Sequence, residues 1–165
     1  RKHISSRFPR FHFQYIPLAN DLYRADGLPA ARFAFPYPDS DFNFACAISV
    51  FTHMLPDEVA QYLGEIRRTL KPGGRCCCTF FLLNTGSEQL IAGNPGFQFP
   101  YDRGHYRLMD ERVKAANVAY KEKWLRDQLK QCGLALESVL PGYWCGRPKD
   151  KCFDFQDIVI FKREM

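Results

Sequence analysis

The sequence predicts an α/β domain built on a parallel sheet, and three observations carry that expectation. An apolar run from Phe42 to Val50 is interrupted by Asn43 and closed by Ser49, which suits a strand covered on both faces. A stretch with helical periodicity follows. A second apolar run, Cys76 to Leu83, then begins almost directly after Pro72-Gly73-Gly74. Strand, helix and strand in this order make one βαβ crossover, right-handed by the general rule for parallel connections.

The helix of this unit is delimited by its own chemistry. Pro56 suits a first helical position, where its missing N–H costs nothing, and Asp57 and Glu58 sit at the positive end of the dipole. Val59, Tyr62, Leu63, Ile66 and Leu70 recur at helical spacing, while Glu65, Arg67 and Arg68 fall on another face. Lys71 suits the negative end, Pro72 cannot continue the helix, and Gly73-Gly74 reverse the chain.

Three short motifs in this region gain meaning from their order. They are the aromatic lead-in F-P-Y-P-D-S-D-F-N-F (Phe35 to Phe44), the strand end S-V-F-T-H (Ser49 to His53) and L-K-P-G-G (Leu70 to Gly74). Each alone is an ordinary turn or strand end. Together, at this spacing, the stretch resembles the middle of class I S-adenosylmethionine-dependent methyltransferases, and the resemblance runs more loosely to the last strand. It implies a Rossmann-like methyltransferase sheet, partial, comprising strands three to seven with their helices, the last strand antiparallel and inserted between its neighbours. By the same resemblance residues 1–165 form a single partial domain, truncated at its N-terminus.

Composition agrees with one soluble domain. The chain has 165 residues, 46% hydrophobic and 25% charged, ordinary for a globular protein of this size. No run approaches the roughly 18 apolar residues of a membrane helix, and the basic start lacks a signal-peptide core. The formal charge of +5 is spread along the chain, giving no clear nucleic-acid signal. Seven cysteines include the consecutive Cys76-Cys77-Cys78, whose side chains alternate between strand faces and do not converge on one ion. No paired Cys-x-x-Cys spacing occurs either. Reduced thiols in a cytoplasmic protein without a metal are the expectation.

Read from its start, the chain shows a helix end at Arg1 to Arg7, broken by Phe8-Pro9. Phe11, Phe13 and Tyr15 then alternate with His12, Gln14 and Ile16 as a strand would. By the resemblance this is the third strand of the sheet. No glycine-rich turn of the G-x-G-x-x-G kind occurs, although in such folds that turn lets a nucleotide approach the backbone. The fragment alone is therefore expected to be inactive.

Ile16 to Ala34 reads as a loop in which Tyr23 either covers a ligand or closes the loop. Members of the resembled family often place an acid shortly before the aromatic lead-in to hold the adenine. Here Ala31 and Arg32 stand there, which leaves Arg32 and, by a shift in loop length, Asp26 as the cofactor candidates.

Past the second strand come Asn84 and Thr85, a short helix over Glu88 to Ala92, and a long aromatic loop from Asn94 to Glu111 that includes His105 and Tyr106. A loop of that length is functional or mobile; the resemblance makes it part of an acceptor pocket. Tyr120, Trp124, Leu125, Leu129 and Cys132 mark another amphipathic helix, ended by a left-handed Gly133. Leu134 to Leu140 is a strand, Tyr143 to Phe153 a loop, and Phe155 to Lys162 the last strand.

Ligands in open α/β sheets sit beyond the carboxyl ends of the strands. That rule selects Ser49, Val50, Phe51, Thr52 and His53 after one strand and Asn84 and Thr85 after the next. The resemblance assigns S-adenosylmethionine as cofactor, with Ser49, Val50 and Phe51 against it. Thr52, His53, Asn84, Thr85, His105 and Tyr106 then face a small-molecule acceptor methylated on O or N. Methyl transfer from a sulfonium is an in-line displacement that proximity and orientation dominate. His53 is the one candidate base; the alternative is that it pins the loop through a hydrogen bond. Two other functions stay open: a non-catalytic binding module with the same half-fold, and a nucleotide-dependent oxidoreductase.

Overall fold

The computed structural model describes residues 7–165; the helix end expected at Arg1 to Arg7 lies outside them save for its last residue. Strands β1 (Leu18–Ala19) and β2 (Leu28–Pro29) pair in parallel as a short ribbon. Then come β3 (Phe42–Ala47), α1 (Pro56–Thr69) and β4 (Leu70–Leu83), with β3 and β4 parallel. This is the crossover the sequence predicts. Helix α2 (Thr85–Ala92) leads to β5 (Tyr101–Asp102), β6 (Tyr106–Leu108) and β7 (Val118–Lys121), and α3 (Glu122–Gln131) to β8 (Leu134–Leu140) and β9 (Asp157–Arg163).

A mixed seven-stranded sheet collects all but the first two strands, in the order β5-β6-β7-β4-β9-β8 with β3 also on β4. The final strand β9 lies between β4 and β8 and is antiparallel to both, as expected. Strand β4 outruns its partner: the last β3 pairing is Ala47 with Cys78, whereas β7 takes up β4 in parallel at Phe81–Leu83.

Both long helices cover one face of the sheet. Val59, Leu63 and Ile66 of α1 and Leu125 and Leu129 of α3 pack in one cluster with Ala47, Cys76, Cys78 and Phe80. The consecutive cysteines alternate as a strand requires, with Cys76 and Cys78 buried and Cys77 half-buried on the opposite face. The expectation that β3 is covered on both faces is corrected. Phe44 is 58% and Ile48 54% exposed, because α1 and α3 lie on the other face and no described element covers this one. Among the described residues β3 also pairs on one edge only, with β4.

Four further expectations change. Residues 11–16 form no strand, and Phe11, Phe13 and Tyr15 are exposed; an alternating pattern needs a ladder partner, and none of the described strands offers one. Pro72-Gly73-Gly74 does not stand apart as a turn but is a bulge inside β4, where the pairing jumps from Phe42 with Leu70 to Phe44 with Arg75. A Cβ on Gly74 would lie 2.9 Å from the Lys71 carbonyl oxygen and 3.2 Å from that of Phe42, so the bulge's own backbone, with β3 close beside it, requires glycine there. Finally, the loop from Asn94 to Glu111 carries the β5–β6 hairpin, and Tyr120 belongs to β7 rather than to the helix. Gly133 takes the expected left-handed conformation, φ +66°.

A second cluster, Phe81, Phe97, Phe99 and Trp144, is fastened by Asp157. This buried carboxylate accepts from the Leu82 N–H at 2.8 Å, the Gly142 N–H at 2.7 Å and the Trp144 indole N–H at 2.7 Å. It ties the first residue of β9 to β4 and to the loop after β8.

Candidate functional site at the tip of β3

Beyond Ala47 the chain leaves the sheet abruptly. Ser49 adopts φ +53°, a left-handed conformation uncommon for a residue with a side chain and typical of strained functional turns. Its N–H is held by Thr79 Oγ1 at 2.8 Å and its hydroxyl by Gln156 Oε1 at 3.1 Å. Phe51–His53 then makes one 3-10 turn before α1 begins.

A cavity of about 270 Å³ opens at this tip. Val50 and Met54 form its wall on the sheet side, and Leu18 and Ala30 bring apolar cover from the N-terminal loop. Its polar groups are Asn20, Tyr23, Ser49, His53, Glu58 and Tyr62. A second hollow beside it shares Ala19, Asn20 and Glu58 and adds Asp21. The loop is fastened down: Asn20 Nδ2 donates to the His53 carbonyl at 2.9 Å. Asp21 accepts from the backbone N–H groups of Lys114 and Ala115.

His53 is boxed by these contacts. Its Nδ1 lies 3.0 Å from the Ala115 carbonyl oxygen, and the Tyr23 ring meets it edge-on at 5.7 Å. A carbonyl only accepts, so Nδ1 carries the proton, and a lone pair on this ring can then lie only on Nε2. The two readings of His53 are therefore compatible in one side chain: Nδ1 pins the loop, and Nε2 makes no hydrogen bond among the described residues.

Glu58 is the carboxylate of the first cavity, and the sequence reading treats it only as a charge at the helix start. One oxygen, Oε2, reaches back to the Leu55 N–H at 2.6 Å, which closes the helix N-terminus. Burial pushes the Glu58 carboxyl above its ordinary value, with Asp21 and Asp57 adding to the rise against that hydrogen bond. Tyr62, one turn further along α1, is pushed up to about 12 by burial and by the Glu58 charge. The only sequence signal for this pair was its i, i+4 spacing on a helix whose start faces the strand tip.

The other selected residues divide clearly. Phe51 is fully buried and stacks on Phe80, centroids 4.8 Å apart, so it belongs to the core. Thr52 is also fully buried, and its hydroxyl finds no hydrogen-bond partner among the described residues. Asn84 caps α2 by accepting from the Ser87 N–H and donates to Glu122 Oε2 at 2.9 Å. Together with Thr85 it lines a separate, charged hollow with Lys121, Glu122 and Arg126. The overhang of β4 explains the separation: six residues past Cys78, at ~3.3 Å each, carry Asn84 roughly 20 Å beyond the β3 tip. His105 is exposed and stacks on Trp124 at 5.2 Å, and Tyr106 sits in β6 above Tyr120. Asp26 is exposed and pairs with Arg24 at 2.9 Å, and Arg32 is exposed at the end of a 3-10 turn. Neither lines the cavity.

Among the described residues no group of three or more potential metal ligands converges, and no helix is long and apolar enough to cross a membrane. The sequence pattern of a family described as a methyltransferase domain matches residues 12–78, a span that holds β1, β2, β3, α1 and the cavity. Several solved structures share the fold. A protein of Pyrococcus horikoshii superposes with TM-score 0.59 at 14% identity, over 99% of this chain and 64% of that one. An S-adenosylmethionine-dependent methyltransferase from Methanosarcina mazei gives 0.52 at 20% identity, over 85% and 66%. The 1,6-didemethyltoxoflavin-N1-methyltransferase of Burkholderia thailandensis, solved with 1,6-didemethyltoxoflavin and S-adenosylhomocysteine, gives 0.51 at 17% identity, over 86% and 51%. The chain thus spans between half and two thirds of the length of these structures. It carries a methyltransferase-domain pattern over residues 12–78 and, over most of its length, the mixed α/β fold of S-adenosylmethionine-dependent methyltransferases.

Proposed function

We propose that this chain forms the strand-tip half of a methyltransferase active site, transferring a methyl group from S-adenosylmethionine to N or O of a small molecule. The observation that supports this most directly is the cavity at the carboxyl end of β3, within the matched span, lined by a His53 whose Nδ1 is held on the Ala115 carbonyl. The donor supplies an electrophilic methyl group on sulfur. The chain's own residues do the rest. Val50 and Met54, with Leu18 and Ala30 from the loop, exclude water from one side of the cleft, and Ser49 fixes the direction in which the chain leaves the sheet. His53 Nε2 takes the proton of the acceptor N–H or O–H as the new bond forms, while Nδ1 stays on the Ala115 carbonyl and keeps the ring from turning. Glu58 and Tyr62 orient the acceptor.

The relative from Burkholderia thailandensis is a small-molecule N-methyltransferase by name, which supports a small acceptor here. Phe51 and Thr52 then act as the packed floor under the cleft. Asn84, Thr85, His105 and Tyr106 fall outside the first transfer step in this reading. His53→Gln tests the base. Turnover of the intact protein with labelled S-adenosylmethionine should drop by roughly 10²–10⁴-fold. An unchanged rate across roughly pH 6–9 removes His53 from the chemistry and leaves it as a pin. A binding module gains support from the open face at Phe44 and Ile48, and methyl transfer absent with every acceptor would favour it.

A further inference from the structure

The first cavity and its neighbour share Glu58, and the charge of their lining is one-sided. Glu58 lines both and Asp21 lines the second, whereas among the described residues no lysine or arginine lines either one. The rings of Tyr23, His53 and Tyr62 complete the first wall around Glu58. A carboxylate among aromatic faces, in a cleft with apolar walls, is the chemistry that holds an organic ammonium: the charge pairs with the carboxylate and the ring quadrupoles add to it. The same surroundings repel a carboxylate or phosphate, since burying a second anion beside Glu58 without a cation is costly. Asp21 already accepts two backbone N–H bonds. Glu58 accepts one, from Leu55, so it keeps an oxygen for a ligand.

We infer that this cavity is a cation subsite for the acceptor, and that the small molecule methylated is an amine that arrives as its ammonium. The inference rests on the functional reading above, and it adds the substrate class to it. The balance is simple. The ammonium docks against Glu58 and gives one proton to His53 Nε2. The freed nitrogen lone pair forms the C–N bond as the donor C–S bond breaks, and the thioether leaves neutral.

The test is binding, with no transfer needed. Benzylamine, benzyl alcohol and benzoate share one ring and differ in charge; titrated into the intact chain near pH 7 by NMR, they read the preference directly. Benzylamine should bind at least tenfold more tightly than the other two. Glu58→Gln, which keeps an oxygen for the Leu55 N–H, should abolish that preference, and Tyr62→Leu should weaken benzylamine while sparing benzyl alcohol. Benzoate binding as well as benzylamine, or a preference that survives Glu58→Gln, overturns the inference. The donor sulfonium is the other possible occupant. If Glu58→Gln weakens S-adenosylmethionine relative to neutral S-adenosylhomocysteine and leaves benzylamine alone, the subsite belongs to the cofactor, and the inference fails too. Loss of amine selectivity with methylation of alcohols retained defeats this inference alone. Amine selectivity without any transfer defeats the methyltransferase reading instead.

Discussion

Asp157 and Glu58 are both withdrawn from water, the first wholly and the second in part, and they sit in opposite circumstances. Asp157, at the first residue of β9, is 3% exposed and accepts three N–H donors, with Arg147 3.7 Å away. Glu58, in the first turn of α1, is half-buried, accepts one N–H donor and lines two cavities. Burial raises both above the ordinary carboxyl value, Asp157 in spite of its three donors and Arg147. The difference lies in what remains to be satisfied. A buried carboxylate whose hydrogen bonds are filled by its own chain serves the fold. One left short, at the edge of a cleft, has capacity for a ligand.

The largest way to break the comparison is Asp157→Ala. It orphans the Leu82, Gly142 and Trp144 donors, at about 1–3 kcal/mol each, and chemical denaturation should register a loss of several kcal/mol with no specific effect on ligand preference. A loss near zero would mean the tie is ornamental.

Next in size is Phe51→Ala. If this residue is floor rather than ligand contact, its removal from against Phe80 costs about 3–5 kcal/mol of stability and leaves amine selectivity in place. Selectivity lost with stability kept would return Phe51 to the site.

A pH series sharpens the contrast further. Where a carboxyl is raised in the folded state, that state binds more protons than the unfolded chain between the ordinary and the raised value. Stability therefore falls as pH climbs through that window. Asp157 and Glu58 both contribute such a decline. Glu65, held low by Arg68 chiefly through its hydrogen bond, contributes the opposite: stability present above the ordinary value of about 4.3 and lost as pH falls below it. Asp157→Asn should flatten part of the decline just above the ordinary carboxyl range, and a decline of unchanged slope would contradict the assignment. The smallest effect belongs to Glu58→Gln, about 1 kcal/mol or less of stability, since Gln still closes the helix start.

Much of this was legible in the chain itself, for identifiable reasons. Pro56 with Asp57 and Glu58 marked the start of α1, Gly133 marked a left-handed turn, and the run from Leu134 to Leu140 is β8 to the residue. Local chemistry decides such features. Ser49, Val50 and His53 could be placed at the lining of a cavity because strand ends in such sheets open onto clefts, a rule that needs only topology. The same rule groups Asn84 and Thr85 with them, yet they line a separate hollow, because strand length enters the rule nowhere and β4 overshoots β3. Phe51 and Thr52 sit on the tip but turn inward, a matter of one 3-10 turn that periodicity does not resolve. The place of Glu58 in the cavity was not legible because it depends on Asp21, Asn20 and Tyr23, which the chain brings to α1 from more than thirty residues upstream. The covered β3 face was misjudged for a similar reason: an apolar run records what a strand can bury, and the partner that buries it lies elsewhere.

The most direct measurement is a map of backbone amide shifts on adding S-adenosylhomocysteine at millimolar concentration to the intact protein. If the functional centre lies at the tip of β3, Ser49, Val50, His53 and Met54 shift together with the loop around Asn20, while Leu82, Gly142 and Trp144 at the Asp157 tie stay still. Shifts gathered at Asn84, Thr85 and His105 instead, with Ser49 to Met54 unmoved, would contradict it.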